Sequence, residues 1–209
     1  MSEHKGFLIN IEGIDGAGKT THAEMLRKFL AGRGIDAVIL KEPTRGKFGQ
    51  EIAMLAGSHE LTPKKELRLF IEDRKLDVAD HIKPALDAGK TVIMDRYYYS
   101  NMAYQGARGL DMEKIREENE AFAPVPDLLL ILDIGPKAGM ERVKKRKNIV
   151  DHFENEAYLE KVRDKFLRMG MLPNAVTIDA DRPIEEVQKD IEKAVDERLL
   201  RARGRRTHS

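Results

Sequence analysis

The sequence predicts an α/β protein with a five-stranded parallel sheet and helices on both faces. Three observations carry this expectation. Short aliphatic runs alternate with longer stretches of helical periodicity, which is the signature of strands joined by crossover helices. The run Leu128 to Leu132 is wholly aliphatic, as a strand buried on both faces requires. No internal repeat or low-complexity linker interrupts the alternation, and 209 residues suit one domain spanning 1–209.

Taken in order, Phe7 to Ile11 reads as a first buried strand, followed by a Gly-rich turn. An amphipathic helix runs from Thr20 to about Ala31 and is stopped by Gly32 and Gly34. Ala37 to Leu40 is a second strand, ending at Glu42-Pro43. A long helix is expected from Pro63 to about Ala88, with proline in its first turn and Gly89 just past its end. Thr91 to Met94 is a third strand, ending in Asp95-Arg96, and Ala175 to Ile178 is a fifth. Helical patterns fill about 111–122, 136–147, 155–170 and 183–202, and the basic tail 201–209 reads as a solvated end.

Composition excludes several classes of function. Apolar residues make up 41% and charged residues 35%, so the chain has a core and is not disordered. Its formal net charge is +1, without the basic excess of a nucleic-acid partner. There is no cysteine, which removes disulfides, thiolate catalysis and Cys-based zinc sites. No apolar run near the start is long enough for a signal peptide or a membrane span, so a cytoplasmic protein with no membrane partner is expected.

Gly13-Ile14-Asp15-Gly16-Ala17-Gly18-Lys19-Thr20 matches G-x-x-x-x-G-K-[ST] at every fixed position, directly after a strand and before a helix. Such a P-loop turns backbone N–H groups onto phosphate oxygens and adds the positive end of a helix. Lys19 suits the β- and γ-phosphates and the Thr20 hydroxyl suits Mg²⁺. The motif by itself does not separate a kinase from other ATPases, although the N-K-x-D motif of GTPases is missing. Asp95 and Asp133, each at a strand end, compete as the acidic partner of the metal.

The acceptor side is more specific. Phe70 and Arg74 share a helix face, Arg74-Lys75 standing where the apolar stripe Leu67, Ile71, Val78, Ile82 would continue. A ring beside a guanidinium suits base binding, one stacking and the other donating to a carbonyl; spacing alone equally fits a surface Arg on a core Phe. Asp95 to Ser100 follows the third strand and should face the cleft at the carboxyl ends of the strands. There Arg96 can clamp a phosphate, while Tyr97 to Tyr99 read mostly as packing.

These pieces together resemble the thymidylate kinase family along nearly the whole chain. The matching residues are Ile11 to Thr21, Lys41 to Thr44, Phe70 with Arg74, Asp95 to Tyr97, Ser100 to Gly106, Pro126 to Leu128 with Leu132-Asp133, and Ile178 to Ala180. The resemblance implies a P-loop kinase that moves the γ-phosphoryl group of Mg-ATP onto dTMP. It implies that Gly13, Ile14, Asp15, Gly16, Ala17, Gly18, Lys19, Thr20 and Thr21 hold ATP, with Arg142 at its adenine or ribose. Phe70 would stack on thymine, Arg74 would donate to O4, and Ser100, Asn101 and Gln105 would line the pocket. Asn101 would meet N3–H and Tyr104 would crowd C2′. Asp15 would accept from the 3′-hydroxyl, and Arg96, with Arg45 as a looser candidate, would hold the acceptor phosphate. Because Gly16 stands where some members carry Arg, the catalytic cation is expected in a lid of about 142–154, as Arg146 or Lys147. The lid departs from the family pattern in Asp151-His152-Phe153-Glu154, where His152 replaces an arginine, and Lys41 replaces Arg before Glu-Pro. The family also implies a homodimer. Two alternatives are a kinase for dUMP, UMP, CMP or a deoxynucleoside on the same fold, and a slow regulatory P-loop ATPase.

Overall fold

A computed structural model describes residues 5–56, 61–147 and 156–206. Five strands form one sheet: β1 (Phe7–Glu12), β2 (Ala37–Lys41), β3 (Thr91–Asp95), β4 (Leu128–Asp133) and β5 (Ala175–Asp179), in the order β2-β3-β1-β4-β5. All four pairings are parallel, as expected. The aliphatic content of each strand follows its place. Every residue of β1 is buried, because neighbours flank both its edges and helices cover both its faces. The edge strand β2 is only half-buried along its length.

The first helices are α1 (Lys19–Ala31), α2 (Lys47–Leu55) and α3 (Pro63–Asp77). Thr62 caps α3 by accepting from the Lys65 N–H, with Pro63 preset for its first turn. The long helix expected from Pro63 is present but widens into a π-helical stretch, Val78–Ile82, before α4 (Lys83–Asp87). Pro84 supplies the reason. It has no N–H to give the Asp80 carbonyl, and its ring crowds that carbonyl, so the turn opens and the Lys83 N–H reaches Val78 instead.

The remaining helices are α5 (Tyr98–Ala107), α6 (Met112–Glu120), α7 (Pro136–Lys147), α8 (Glu156–Met169) and α9 (Ile184–Arg206). Sequence periodicity located α6 to α9 but neither α2 nor α5. In α5 the polar Ser100, Asn101 and Gln105 are buried together with Tyr98, Tyr99, Met102 and Ala103, so no polar face remains to create a helical period. Tyr97, Tyr98 and Tyr99 pack as a cluster in the core, Tyr98 and Tyr99 stacked with centroids 4.3 Å apart.

Topology fixes where chemistry is done. β1 and β3 lie side by side, with Ile11 opposite Asp95 and the Arg96 N–H bonded to the Ile11 carbonyl. The turn after β1 and the segment after β3 therefore emerge together at the carboxyl edge of the sheet, the usual crevice of open α/β folds.

Candidate active site

The P-loop closes on itself between β1 and α1. Gly13, Gly16 and Gly18 all have positive φ. At Gly16 a side chain has no room as well, since a Cβ would stand 2.2 Å from the Gly139 carbonyl oxygen. An arginine at this position is therefore excluded by α7 itself. Lys19 is nearly buried and folds back, its Nζ donating to the Gly13 and Ile14 carbonyls at 2.9 Å each. Burial, and then the charge of Arg96, lower its pKa to about 7. Such a cation is poised to trade two carbonyls for phosphate oxygens.

Thr20 Oγ1 lies 2.5 Å from Asp95 Oδ2, so the two residues expected at the metal are brought together. Asp95 is 1% exposed and its Oδ1 has no hydrogen-bond partner among the described residues. A buried carboxylate with one unsatisfied oxygen beside a threonine hydroxyl is a hard-oxygen set that fits Mg²⁺. Lys41 Nζ shares Asp95 Oδ2 at 2.9 Å, from a side chain exposed enough to withdraw. Asp133, the competing acid, is instead held by Arg163 in a bidentate pair of 2.7 and 2.9 Å and lines neither cavity described below.

A cavity of about 440 Å³ opens over the loop from Asp15 to Thr21 and extends to Arg142. Arg142 donates to the Ala180 carbonyl at 2.9 Å and to Asp181 at 3.3 Å, which sets it across from the loop after β5. Ile184 and Val187 of α9 supply an apolar wall there. His22, Arg182, Ile184 and Val187 escaped the sequence reading, and Lys41 was matched to the family without a role. Of these, only His22, two residues past the P-loop on α1, carried a positional signal.

The second cavity, about 150 Å³, meets the first at Asp15 and Arg96. It gathers Phe70, Arg74, Ser100, Asn101, Tyr104 and Gln105, which α3 and α5 supply from opposite sides. Arg96 adopts φ of +75°, a conformation a bulky side chain takes only when its surroundings hold it there. The surroundings are visible: it pairs with Asp15, donates to Ser100 Oγ at 3.0 Å and lies over the Tyr104 ring at 5.3 Å. Buried Glu12 completes the support, accepting from the Tyr97 N–H and from Ser100 Oγ at 2.7 Å each.

Arg74 is not a surface residue. It is 1% exposed and grips Glu42, Asn101 and Asn119. Burial pushes the Glu42 carboxyl up, and the Arg74 guanidinium gripping both its oxygens pulls it back toward the charged form. Glu66 and Asn119 were missed, and Glu12 and Glu42 were matched to the family without a role. An acid at the end of an aliphatic strand, as Glu12 is, was the available signal.

Two expectations fare differently. Arg45 is exposed and lines neither cavity. The cause is its neighbour: the Thr44 N–H and hydroxyl both donate to Asp73 at 2.6 Å, and the chain turns there into α2 with Arg45 toward solvent. Arg146 and Lys147 end α7, but their side chains lie outside the described residues, as does the remaining lid expectation from 148 to 154, including His152.

A sequence model of the family described as thymidylate kinase matches residues 11–191. A probable thymidylate kinase of Archaeoglobus fulgidus is 46% identical over 90% of this chain and 94% of its own length. A thymidylate kinase of Akkermansia muciniphila is 45% identical over 94% of this chain and 95% of its own. One from Desulfotalea psychrophila is 43% identical over 91% and 95%. With the phosphate loop, the paired cavities and these matches in agreement, the chain belongs to the thymidylate kinase family.

Proposed function

We propose that the protein transfers the γ-phosphoryl group of Mg-ATP to dTMP, giving dTDP and ADP for dTTP biosynthesis. The observation that carries this is the junction of the two cavities. Asp15 and Arg96 line both, so a triphosphate on the loop and a monophosphate in the smaller cavity would meet at one guanidinium.

The chemistry asks for alignment and charge neutralisation rather than a covalent helper. An acceptor phosphate oxygen, already ionised near neutral pH, attacks the γ-phosphorus. The bond to the β,γ-bridging oxygen breaks and its electrons leave with ADP. Lys19 holds the β- and γ-phosphates, Arg96 holds the acceptor phosphate in line, and Arg146 or Lys147 neutralises the group in flight. Mg²⁺ on Thr20 and Asp95 would screen the phosphate oxygens. Arg142 with Ile184 and Val187 receives the adenosine end. Phe70 stacks on the base, Arg74 and Asn101 meet its O4 and N3–H, and Ser100 and Gln105 complete the pocket. Asp15 accepts from the 3′-hydroxyl, and Tyr104 crowds C2′ against a ribose.

The same reading makes residues 1–209 one working unit, cytoplasmic and homodimeric. Among the described residues no helix is long and apolar enough to cross a membrane. Light scattering tests the dimer. The reaction is tested by ADP release from Mg-ATP with dTMP, dUMP, UMP, CMP, AMP or no acceptor. Strong dependence on dTMP is expected. Release without any acceptor would remove the kinase reading.

A further inference from the structure

The base side of the smaller cavity is organised around one buried cation. A guanidinium removed from water has to be neutralised, and its N–H groups have to be satisfied. Glu42, itself 2% exposed, does most of this for Arg74. Its carboxylate takes Nε at 2.8 and 3.1 Å and also takes Nη2. Asn101 Oδ1 takes the other Nη2 hydrogen at 2.8 Å, and Asn119 Oδ1 takes one from Nη1 at 2.6 Å. A guanidinium carries five N–H groups, so a single N–H on Nη1 stays unspent among these contacts.

The direction of every amide in the cluster is set by its other end. Asn119 Nδ2 donates to the Ile115 carbonyl at 2.7 Å, which leaves its oxygen for Arg74. Asn101 Nδ2 donates to Gln105 Oε1 at 3.1 Å, and Gln105 Nε2 donates to Glu66 Oε2 at 3.0 Å. The hydrogen bonds therefore run one way from Arg74 to Glu66, with a second carboxylate, Glu42, closing the opposite side. Such a network is rigid only while each member is satisfied.

We infer that Glu42 is a positioning residue for base selection: its grip on Nε and Nη2 holds Arg74 so that the remaining N–H serves a pyrimidine 4-oxo oxygen and opposes a 4-amino group. Only the carboxylate accepts from both sides of the guanidinium fork. A glutamine there presents an N–H₂ to one of them, and Arg74 loses both its neutralisation and its fixed orientation. A 4-amino acceptor meets donor against donor in the intact pocket, a mismatch that polar sites reject strongly. This inference rests on the dTMP reading of the cavity.

Kinetics of the full chain with dTMP and with dCMP, for wild type, Glu42→Gln and Glu42→Asp, test it. In Glu42→Gln the KM for dTMP should rise about tenfold to a hundredfold, with kcat within about threefold and the preference for dTMP over dCMP reduced about tenfold. The KM for ATP should not move. Glu42→Asp keeps the charge but shortens the reach, so it should show the same shifts at smaller size. It also decides the matter on its own if Glu42→Gln fails to fold. A fall in kcat with KM and the dTMP-to-dCMP preference unchanged would reduce Glu42 to a structural residue and overturn the inference. Wild type that ignores dTMP would instead sink the reading of the cavity, before any variant is made.

Discussion

The two cavities are built on opposite principles. The donor cavity is lined by backbone and by the ends of long cations that hold temporary partners: Lys19 on two carbonyls, Lys41 on Asp95, Arg142 on Ala180. The acceptor cavity is lined by side chains already locked to one another, with Arg74, Asn101, Gln105 and Glu66 in one hydrogen-bonded row. One site waits for a charge to reorganise it, and the other is finished before its ligand arrives. A polyphosphate brings enough charge to displace weak partners. A neutral base does not, so its pocket has to be preorganised.

The largest expected effect breaks the donor side alone. Lys19→Ala should lower kcat by about 10³-fold or more, because it removes the buried cation of the phosphate loop itself. Binding of dTMP, measured by calorimetry, should stay within about threefold, since Lys19 touches the acceptor residues only through a 3.9 Å contact with Asp15. Loss of both would show that the cavities are less independent than their construction suggests.

A smaller effect separates the two strand-end acids. Asp95→Asn should cost about 10²-fold in kcat at ordinary Mg²⁺ and recover partly as Mg²⁺ is raised. Asp133→Asn should stay within about threefold, since Arg163 already holds that carboxylate away from the cavities. Titrating Mg²⁺ against rate for both variants measures the contrast.

The same contrast decides what the sequence could disclose. The phosphate loop of the donor site is contiguous, Gly13 to Thr21, and its context of strand and helix is legible because β1 is apolar from Phe7 to Ile11 apart from Asn10. The strands were all legible for that reason. The acceptor site is assembled from the end of β2, one face of α3 and a helix, α5, that has no exposed face and hence no period. Phe70 and Arg74 entered through their shared helix face and a family resemblance, and Asn101 through the resemblance alone; Glu42 was matched without a role, and Glu66 and Asn119 did not enter at all. Residues whose work is to orient another side chain leave no local pattern. The exposed position of Arg45 was illegible for a related reason: its direction depends on Thr44 being tied to Asp73, 29 positions away in the chain.

Gly16 tests the donor side at the level of backbone. Gly16→Ala would place a Cβ against the Gly139 carbonyl and strain a φ of +89°. A loss of about 1–3 kcal/mol in stability is expected, read as a lower Tm, along with weaker ATP binding. An equal Tm would mean that α7 yields easily, and the exclusion of a side chain at this position would fall with it.

The smallest effect is also the most specific to a site that waits for charge. In the free protein burial, then Arg96, hold the Lys19 pKa at about 7, so at pH 8 the amine is mostly neutral. Phosphates brought beside it favour the ammonium, and nucleotide binding has to take up a proton. In excess Mg²⁺ the uptake should be about half a proton at pH 7 and close to one at pH 8, falling toward zero near pH 6. Calorimetry of ADP binding in buffers of different ionisation enthalpy reads this number directly, and Lys19→Met should abolish it. The sign for folding follows from the same shift. A folded-state pKa depressed below the ordinary lysine value of 10.5 gives a stability contribution present above that value and lost as pH falls through about 7. Lys19→Met should therefore gain in Tm relative to wild type on acidification. That is the cost of keeping, at the phosphate site, a cation that is only fully charged once its substrate is there.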